Sequence, residues 1–273
     1  MNLLKYFSID EYRKFLKIWF AGIPSEISFW SKYIADNKNV IFKKRDFDFE
    51  EYVKSENTKF LDVGSGPSSC VGTETEKTNL QFIAVDPLAH IYKLIKRENK
   101  LKTIVNPQFA MVECLNDKFP ENEFDIVHMR NALDHSFNPL YGILQMLYIV
   151  KVGGKVILRH LENEAIAQNY KGFHQWNLCA EENDYVVWRK DIKVKLSEFL
   201  GNIADVKIQQ EDNGIVRVIL TKKNSFTLPD NPYKYDFSEI FMNEYINLLD
   251  KVPKKNKISK LSKTLMLIKS LTS

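Results

Sequence analysis

Three cysteines in 273 residues, Cys70, Cys114 and Cys179, are too few and too scattered for covalent stapling. Their odd number and the lack of any C-x-x-C pair argue against a disulfide framework or a structural zinc site, and fit a reducing cytoplasm. No apolar run approaches the ~20 residues needed to span a bilayer. The opening stretch MNLLKYFSIDEYRKF has neither the apolar core nor the small-residue cleavage site of a secretory signal. Internal repeats and low-complexity linkers are missing too. Acid is absent from one place: Lys251 to Ser273 carries seven lysines and no carboxylate. Leu261, Leu265, Ile268 and Leu271 can share a helical face there, so a basic amphipathic tail is expected, packed on the domain or touching an anionic surface peripherally. A net charge of +4 is otherwise too modest to imply a nucleic-acid partner. What remains is ordinary for a globular chain, 44% hydrophobic and 27% charged, long enough for one large domain with additions.

The most informative segment is FLDVGSGPSS, Phe60 to Ser69. Phe60, Leu61 and Val63 read as the end of a buried strand, and Gly64 and Gly66 as a turn whose backbone can approach a ligand closely. A second apolar run, Phe82 to Val85, ends in Asp86. A glycine turn after a first strand, with a carboxylate about 20 residues further on, is how doubly wound folds hold an adenosine ribose. The third glycine of a dinucleotide fingerprint is missing, and Pro67 follows Gly66 directly, which weighs against a nicotinamide enzyme.

Downstream come a helical stretch, His90 to Lys100, and the run FAMVECLNDKFPENEFDIVHMRNALDH, Phe109 to His135. LYIVKVGGKVILRH, Leu147 to His160, reads as helix, glycine turn and strand. DVKIQQEDNGIVRVILTKK, Asp205 to Lys223, reads as two strands about an Asp-Asn-Gly hairpin turn. In order and spacing, Phe60 to Lys223 resembles the class I S-adenosylmethionine-dependent methyltransferases, with Asp62, Gly64 and Gly66 as motif I. The run RHLENEA…YKGFHQWN resembles a bacterial branch of the methyltransferase type 11 group that shares R-H-x-x-N-E and H-Q-W-N patterns. The resemblance implies a doubly wound, seven-stranded Rossmann-like α/β sheet with an antiparallel C-terminal hairpin. Residues 1–58 are expected as an N-terminal helical cap and 59–223 as the S-adenosylmethionine-binding domain, with a lid insertion at 161–188. A helical extension with the basic tail is expected over 224–273. Within the cap, Ile9 to Ile23 has helical spacing, and Pro24-Ser25-Glu26 reads as the start of a second helix.

The resemblance also implies roles. Asp86 accepts the ribose hydroxyls, Asp62 sits near the methionine amino group, Gly64 and Gly66 admit the cofactor, Glu113 and Cys114 meet the adenine, and Asn131 the methionine end. The sulfonium is already activated, so the protein must align an acceptor and exclude water. A hydroxyl acceptor also needs a base within reach, worth ~10²–10⁴-fold. Candidates are Asp134 and His135 after the fourth strand of the fold, His160 at the end of the fifth, and His174 in the insertion. His174 or His135 is the expected general base. Glu26, Glu164, Gln175 and Asn177 are expected to line the acceptor pocket. A metal-assisted variant would draw on Asp134, His135, His160 and Glu164, but no short ligand motif such as H-x-x-x-H supports a metal.

The polar insertion suits a hydroxyl-rich small molecule, a sugar or glycan intermediate. A natural-product or lipid-headgroup acceptor is the alternative, and a non-catalytic S-adenosylmethionine-binding protein is a rival of a different class. Nucleic-acid modification ranks lower, because the N-P-P-Y type signature of base amino methyltransferases is absent after the fourth strand.

Overall fold

Short apolar segments bounded by glycine, proline and acidic turns become the parallel strands of the molecule. The structure is a computed structural model and describes residues 8–37, 49–53, 57–69, 80–101, 103, 105–190, 192–211 and 214–231. Its main sheet has six strands: β1 (Lys59–Val63), β2 (Gln81–Val85), β3 (Phe124–Arg130), β4 (Val150–Leu161), β8 (Ala204–Gln210) and β9 (Ile215–Lys222), in the order β2-β1-β3-β4-β9-β8. The first four are parallel, and β9 and β8 close the edge as an antiparallel pair. The strand order reverses beside β1, which opens a crevice at the strands' carboxyl ends, where open α/β sheets bind ligands.

Seven strands were expected. Where the missing one would lie, beyond β2, the described residues hold only a single parallel bridge, Val85 to Gln108. Pro107 precedes that bridge and has no N–H to add to the ladder beside it. The expected glycine turn before β4 is also modified. Gly153 and Gly154 lie within the strand, where pairing jumps from Phe124–Val150 to Ile126–Lys155, a bulge.

The helices are α1 (Ile9–Asn37), α2 (Ala89–Glu98), α3 (Pro139–Ile149), α4 (Glu164–Ala167) and α5 (Leu196–Leu200). Among the described residues of the cap, one α-helix runs through Ile9–Asn37 where two were expected, with Pro24 inside it. Phe15, Leu16, Trp19, Phe20, Ile23 and Ile34 are buried, with Ile27 and Trp30 packed against the same core, so one apolar stripe runs unbroken past the proline. Burial of that stripe outweighs the missing backbone donor.

α3 begins at Pro139 because Asn138 caps it, its Oδ1 accepting from Tyr141 N at 3.0 Å. Glu113 Oε1 accepts from Phe137 N at 2.6 Å and from Asn138 N at 3.1 Å, which fixes the chain's entry into that helix.

The segment expected as a lid, 161–188, carries α4 and contributes to a second, antiparallel sheet of β5 (Asn177–Glu181), β6 (Asp184–Arg189) and β7 (Ile192–Lys195), in the order β5-β6-β7. Trp176, Tyr185 and Val187 are buried in the common core, so the insertion is part of the domain. α1 binds it directly. Trp19 stacks on Phe173 with centroids 4.8 Å apart, and a Cβ on Gly22 would meet the Phe173 ring at 2.9 Å. Cys70 and the basic tail with Leu261, Leu265, Ile268 and Leu271 lie outside the described residues. None of the helices among the described residues is long and apolar enough to cross a membrane.

Candidate active site

Two clusters meet at the carboxyl ends of β1 to β4. The first is the glycine turn. Gly64 and Gly66 have φ of +63° and +64°, a conformation that disfavours any residue with a Cβ. A Cβ at Gly64 would come within 2.6 Å of Ala132 Cβ, so here glycine admits the loop after β3 as well as a ligand. At Gly66 a Cβ would meet the Trp30 ring at 3.1 Å. Trp30 therefore covers the turn from α1, and its Nε1 donates to Glu26 Oε1 at 2.7 Å.

Asp86 stands directly across the turn. Its Oδ2 accepts from Gly66 N at 2.9 Å and its Oδ1 from Leu88 N at 2.7 Å. Burial pushes this carboxyl up to about 7, against those backbone bonds, and the charges of Glu26 and Asp62 push the same way. Each carboxylate oxygen has more than one acceptor site, so both can take a further donor. The pair of positive-φ glycines and this carboxylate fit an adenosine ribose and an amino-acid tail.

Asp62, one strand over, has structural partners. Its Oδ1 is 2.8 Å from His128 Nδ1, its register partner on β3, and Ser69 Oγ donates to its Oδ2 at 2.5 Å. Asp62 thus ties β1 to β3 and to the loop after the glycines. His128 was not singled out from the sequence, although the parallel register of two buried strands places it opposite Asp62.

Glu113 faces the start of α3, and burial raises its carboxyl to about 7 against the backbone bonds it accepts. Its contacts are with chain entry into α3, and Cys114 lies at a kink in the 3-10 turn beside it. Asn131, at φ +46°, stitches β3 to β4: its N donates to Arg159 O at 2.9 Å and its Oδ1 accepts from Leu161 N at 3.0 Å.

The second cluster lies on the loop after β3 and on the insertion. His174 Nδ1 is 2.8 Å from Asp134 Oδ2 and 3.1 Å from His135 Nε2, and 3.9 Å from Glu164 Oε1. His135 Nε2 is 3.4 Å from Asp134 Oδ2. Trp19 Nε1 donates to His135 O at 3.0 Å, so α1 fixes the loop that carries the cluster. Residues 40 positions apart are thereby brought together.

Burial alone would raise the Asp134 carboxyl, but the charges of His135, His174 and His160 and the His174 bond outweigh it and hold it low. Burial would depress His174, but the Asp134 bond and charge and the charges of Glu164 and Glu26 raise it. Burial raises Glu164, and Asp134 adds to the effect. The charge of Glu26 raises both the Asp86 carboxyl and the His174 imidazole.

His160 belongs to the same neighbourhood: burial holds its imidazole down to about 3, the Asp134 charge opposing that fall. Its neighbour Arg159 forks onto Glu211 at 3.0 and 2.6 Å. Gln175 and Asn177 do not face the cluster with free amides. Gln175 Nε2 donates to Tyr170 O at 2.7 Å and Gly172 O at 3.1 Å. Asn177 accepts from Ile166 N at 3.1 Å and donates to the Tyr170 hydroxyl at 2.9 Å. Both shape the loop that presents His174.

A parallel sheet that reverses at β1, a positive-φ glycine turn and a carboxylate ending β2 are the features that the resemblance to class I S-adenosylmethionine-dependent methyltransferases calls for. Residues 61–158 match the family model described as a methyltransferase domain, and S-adenosylmethionine is its cofactor. An uncharacterized methyltransferase of Schizosaccharomyces pombe is 29% identical over 119 residues, which are 41% of this chain and 42% of that protein. The chain thus spans less than half the length of that curated relative. Among solved structures, a SAM-dependent methyltransferase from Aquifex aeolicus is 13% identical with a TM-score of 0.41, covering 72% of this chain and 97% of that one. Another from Methanosarcina mazei is 14% identical with a TM-score of 0.41, covering 67% and 100%.

Proposed function

We propose that the domain transfers the methyl group of S-adenosylmethionine to a hydroxyl of a small polar acceptor, a sugar or glycan intermediate. The 2.8 Å contact between His174 and the buried Asp134, on the rim beyond β3 and β4, carries this reading. Gly64 and Gly66 let backbone lie against the cofactor, Asp86 accepts its ribose hydroxyls, and Trp30 closes the turn from above. The cofactor supplies a methyl group already activated on sulfur, so alignment and removal of the acceptor's proton are what the chain adds.

The proton is received within the His/carboxylate cluster. His174, oriented by Asp134, and Glu164, 3.9 Å from His174, are the groups at its rim. Trp19, Phe173 and Phe137 pack behind the cluster and shield it from bulk water.

The test is a panel of hydroxyl, amine and carbon acceptors incubated with methyl-labelled S-adenosylmethionine, each product's methylated atom assigned by NMR. The account expects O-methyl products from polyhydroxylated acceptors. Label transferred only to nitrogen or carbon would overturn it.

A further inference from the structure

Three atoms of the acceptor cluster converge on one point, in an arrangement that hydrogen bonds alone do not satisfy. His174 Nδ1, His135 Nε2 and Asp134 Oδ2 form a triangle with sides of 2.8, 3.1 and 3.4 Å. No placement of ring protons on two neutral imidazoles satisfies all three contacts. If both nitrogens carry hydrogen, their N–H groups oppose each other; if only His174 does, His135 turns a lone pair on the carboxylate. A metal ion removes the conflict, because all three atoms then point lone pairs at one centre.

The spacing suits that centre. Bonds of about 2.1 Å at right angles put neighbouring donors about 3.0 Å apart, and tetrahedral angles about 3.4 Å. Two of the observed sides, 3.1 and 3.4 Å, fall in this range, and the third, 2.8 Å, lies just below it. A second observation is independent of the triangle. Asp134 Oδ1, Glu164 Oε2 and both ring nitrogens of His160 are buried without a hydrogen-bond partner among the described residues. Asp134 and His160 are each 2% exposed. Buried polar atoms are seldom left so, and the Asp134 and Glu164 oxygens belong to the two carboxylates that flank His174, so the cluster has unused acceptor capacity for a cation.

We propose that Asp134, His135 and His174 bind a divalent first-row transition cation as a two-histidine, one-carboxylate triad with open positions for the acceptor's oxygen. This role rests on the reading that a hydroxyl acceptor docks at the cluster. The bound cation acidifies the hydroxyl. Its O–H bond breaks with the proton passing to Glu164, the oxygen lone pair forms the O–CH₃ bond, and the S–C pair leaves on sulfur. Two imidazoles and one carboxylate favour Zn²⁺, Mn²⁺, Fe²⁺ or Co²⁺ over Mg²⁺.

The test titrates chelator-treated full-length protein with Co²⁺, read by visible absorption, and with Zn²⁺ and Mg²⁺, read by calorimetry. One equivalent of Co²⁺ and of Zn²⁺ should bind with micromolar or tighter affinity, and Mg²⁺ at least a hundredfold more weakly. His135→Ala and Asp134→Asn should each weaken Zn²⁺ binding at least tenfold. Failure of the wild-type protein to bind one equivalent would overturn the site, leaving a His–Asp hydrogen-bonded pair only. So would undiminished binding in both variants, each shown folded by its thermal melt. The outcome separates from the hydroxyl-acceptor reading. Metal-free enzyme that O-methylates at full rate sinks the cation and keeps that reading, whereas stoichiometric binding without any O-methylation keeps the cation and sinks the reading.

Discussion

Asp86 shows how a single residue's environment sets a testable property. Its carboxylate must be ionised to accept two ribose hydroxyls, yet burial brings its folded value up to about 7. Affinity for S-adenosylhomocysteine should therefore rise about tenfold between pH 6 and pH 8 in calorimetric titrations, as the carboxyl ionises. Asp86→Ala should weaken binding more than tenfold and flatten that slope, because hydrogen bonds to a charged group are worth roughly 1.5–3 kcal/mol each. An unchanged affinity in the folded variant would remove Asp86 from the ribose site. This residue was legible in the sequence because strand, glycine turn and acid follow one another at fixed spacing. His128 was not. Its meaning depends on which residue of a neighbouring strand lies opposite, and β3 is separated from β1 by 66 positions. Gln175 and Asn177 show the converse: their residue type suggested a pocket, but their amides close a loop, a choice made by local backbone geometry that composition does not reveal.

At the scale of elements, α1 and the start of α3 carry the informative tests. If α1 is one helix through Pro24, replacing that proline restores a backbone donor inside it. Pro24→Ala should then stabilise the protein by about 1–3 kcal/mol, read from urea midpoints. Were Pro24 the first residue of a second helix, where proline is favoured, the change would be neutral or harmful. Glu113 anchors the entry to α3, and Glu113→Ala should lower stability by about 1–3 kcal/mol through two unpaired backbone donors. Its folded value, raised to about 7, lies above the usual carboxylate value of 4.5. The stability it contributes is thus fully present below about pH 4.5 and is lost as pH rises through 7. Glu113→Gln should flatten that loss in melts collected from pH 5 to pH 8. Helix periodicity predicted α1 correctly as far as its stripe goes, but the proline signal is local and the stripe's burial is tertiary. The insertion's own sheet was not legible for a related reason: strands between Asn177 and Lys195 pair in succession, and the buried Trp176 and Tyr185 tie them to the core.

The whole molecule is a switch-point sheet with two clusters at one rim, and α1 touches both, through Trp30 at the glycine turn and Trp19 at His135. The strand order and the terminal hairpin could be read from motif order, since glycine turns and the Asp-Asn-Gly signal are short-range. The seventh strand could not, because its place is held by one bridge beside Pro107. The gathering of Asp134, His135 and His174 was expected only as residues of one rim, and their shared point needed the fold. The account's central claim is that cofactor binding and acceptor chemistry occupy separate clusters. Kinetics of His174→Ala beside calorimetry of the same protein test it most directly. The account predicts turnover lowered at least a hundredfold with S-adenosylhomocysteine affinity within twofold of wild type. Affinity falling in step with turnover, or turnover unchanged with a hydroxyl acceptor, would contradict it.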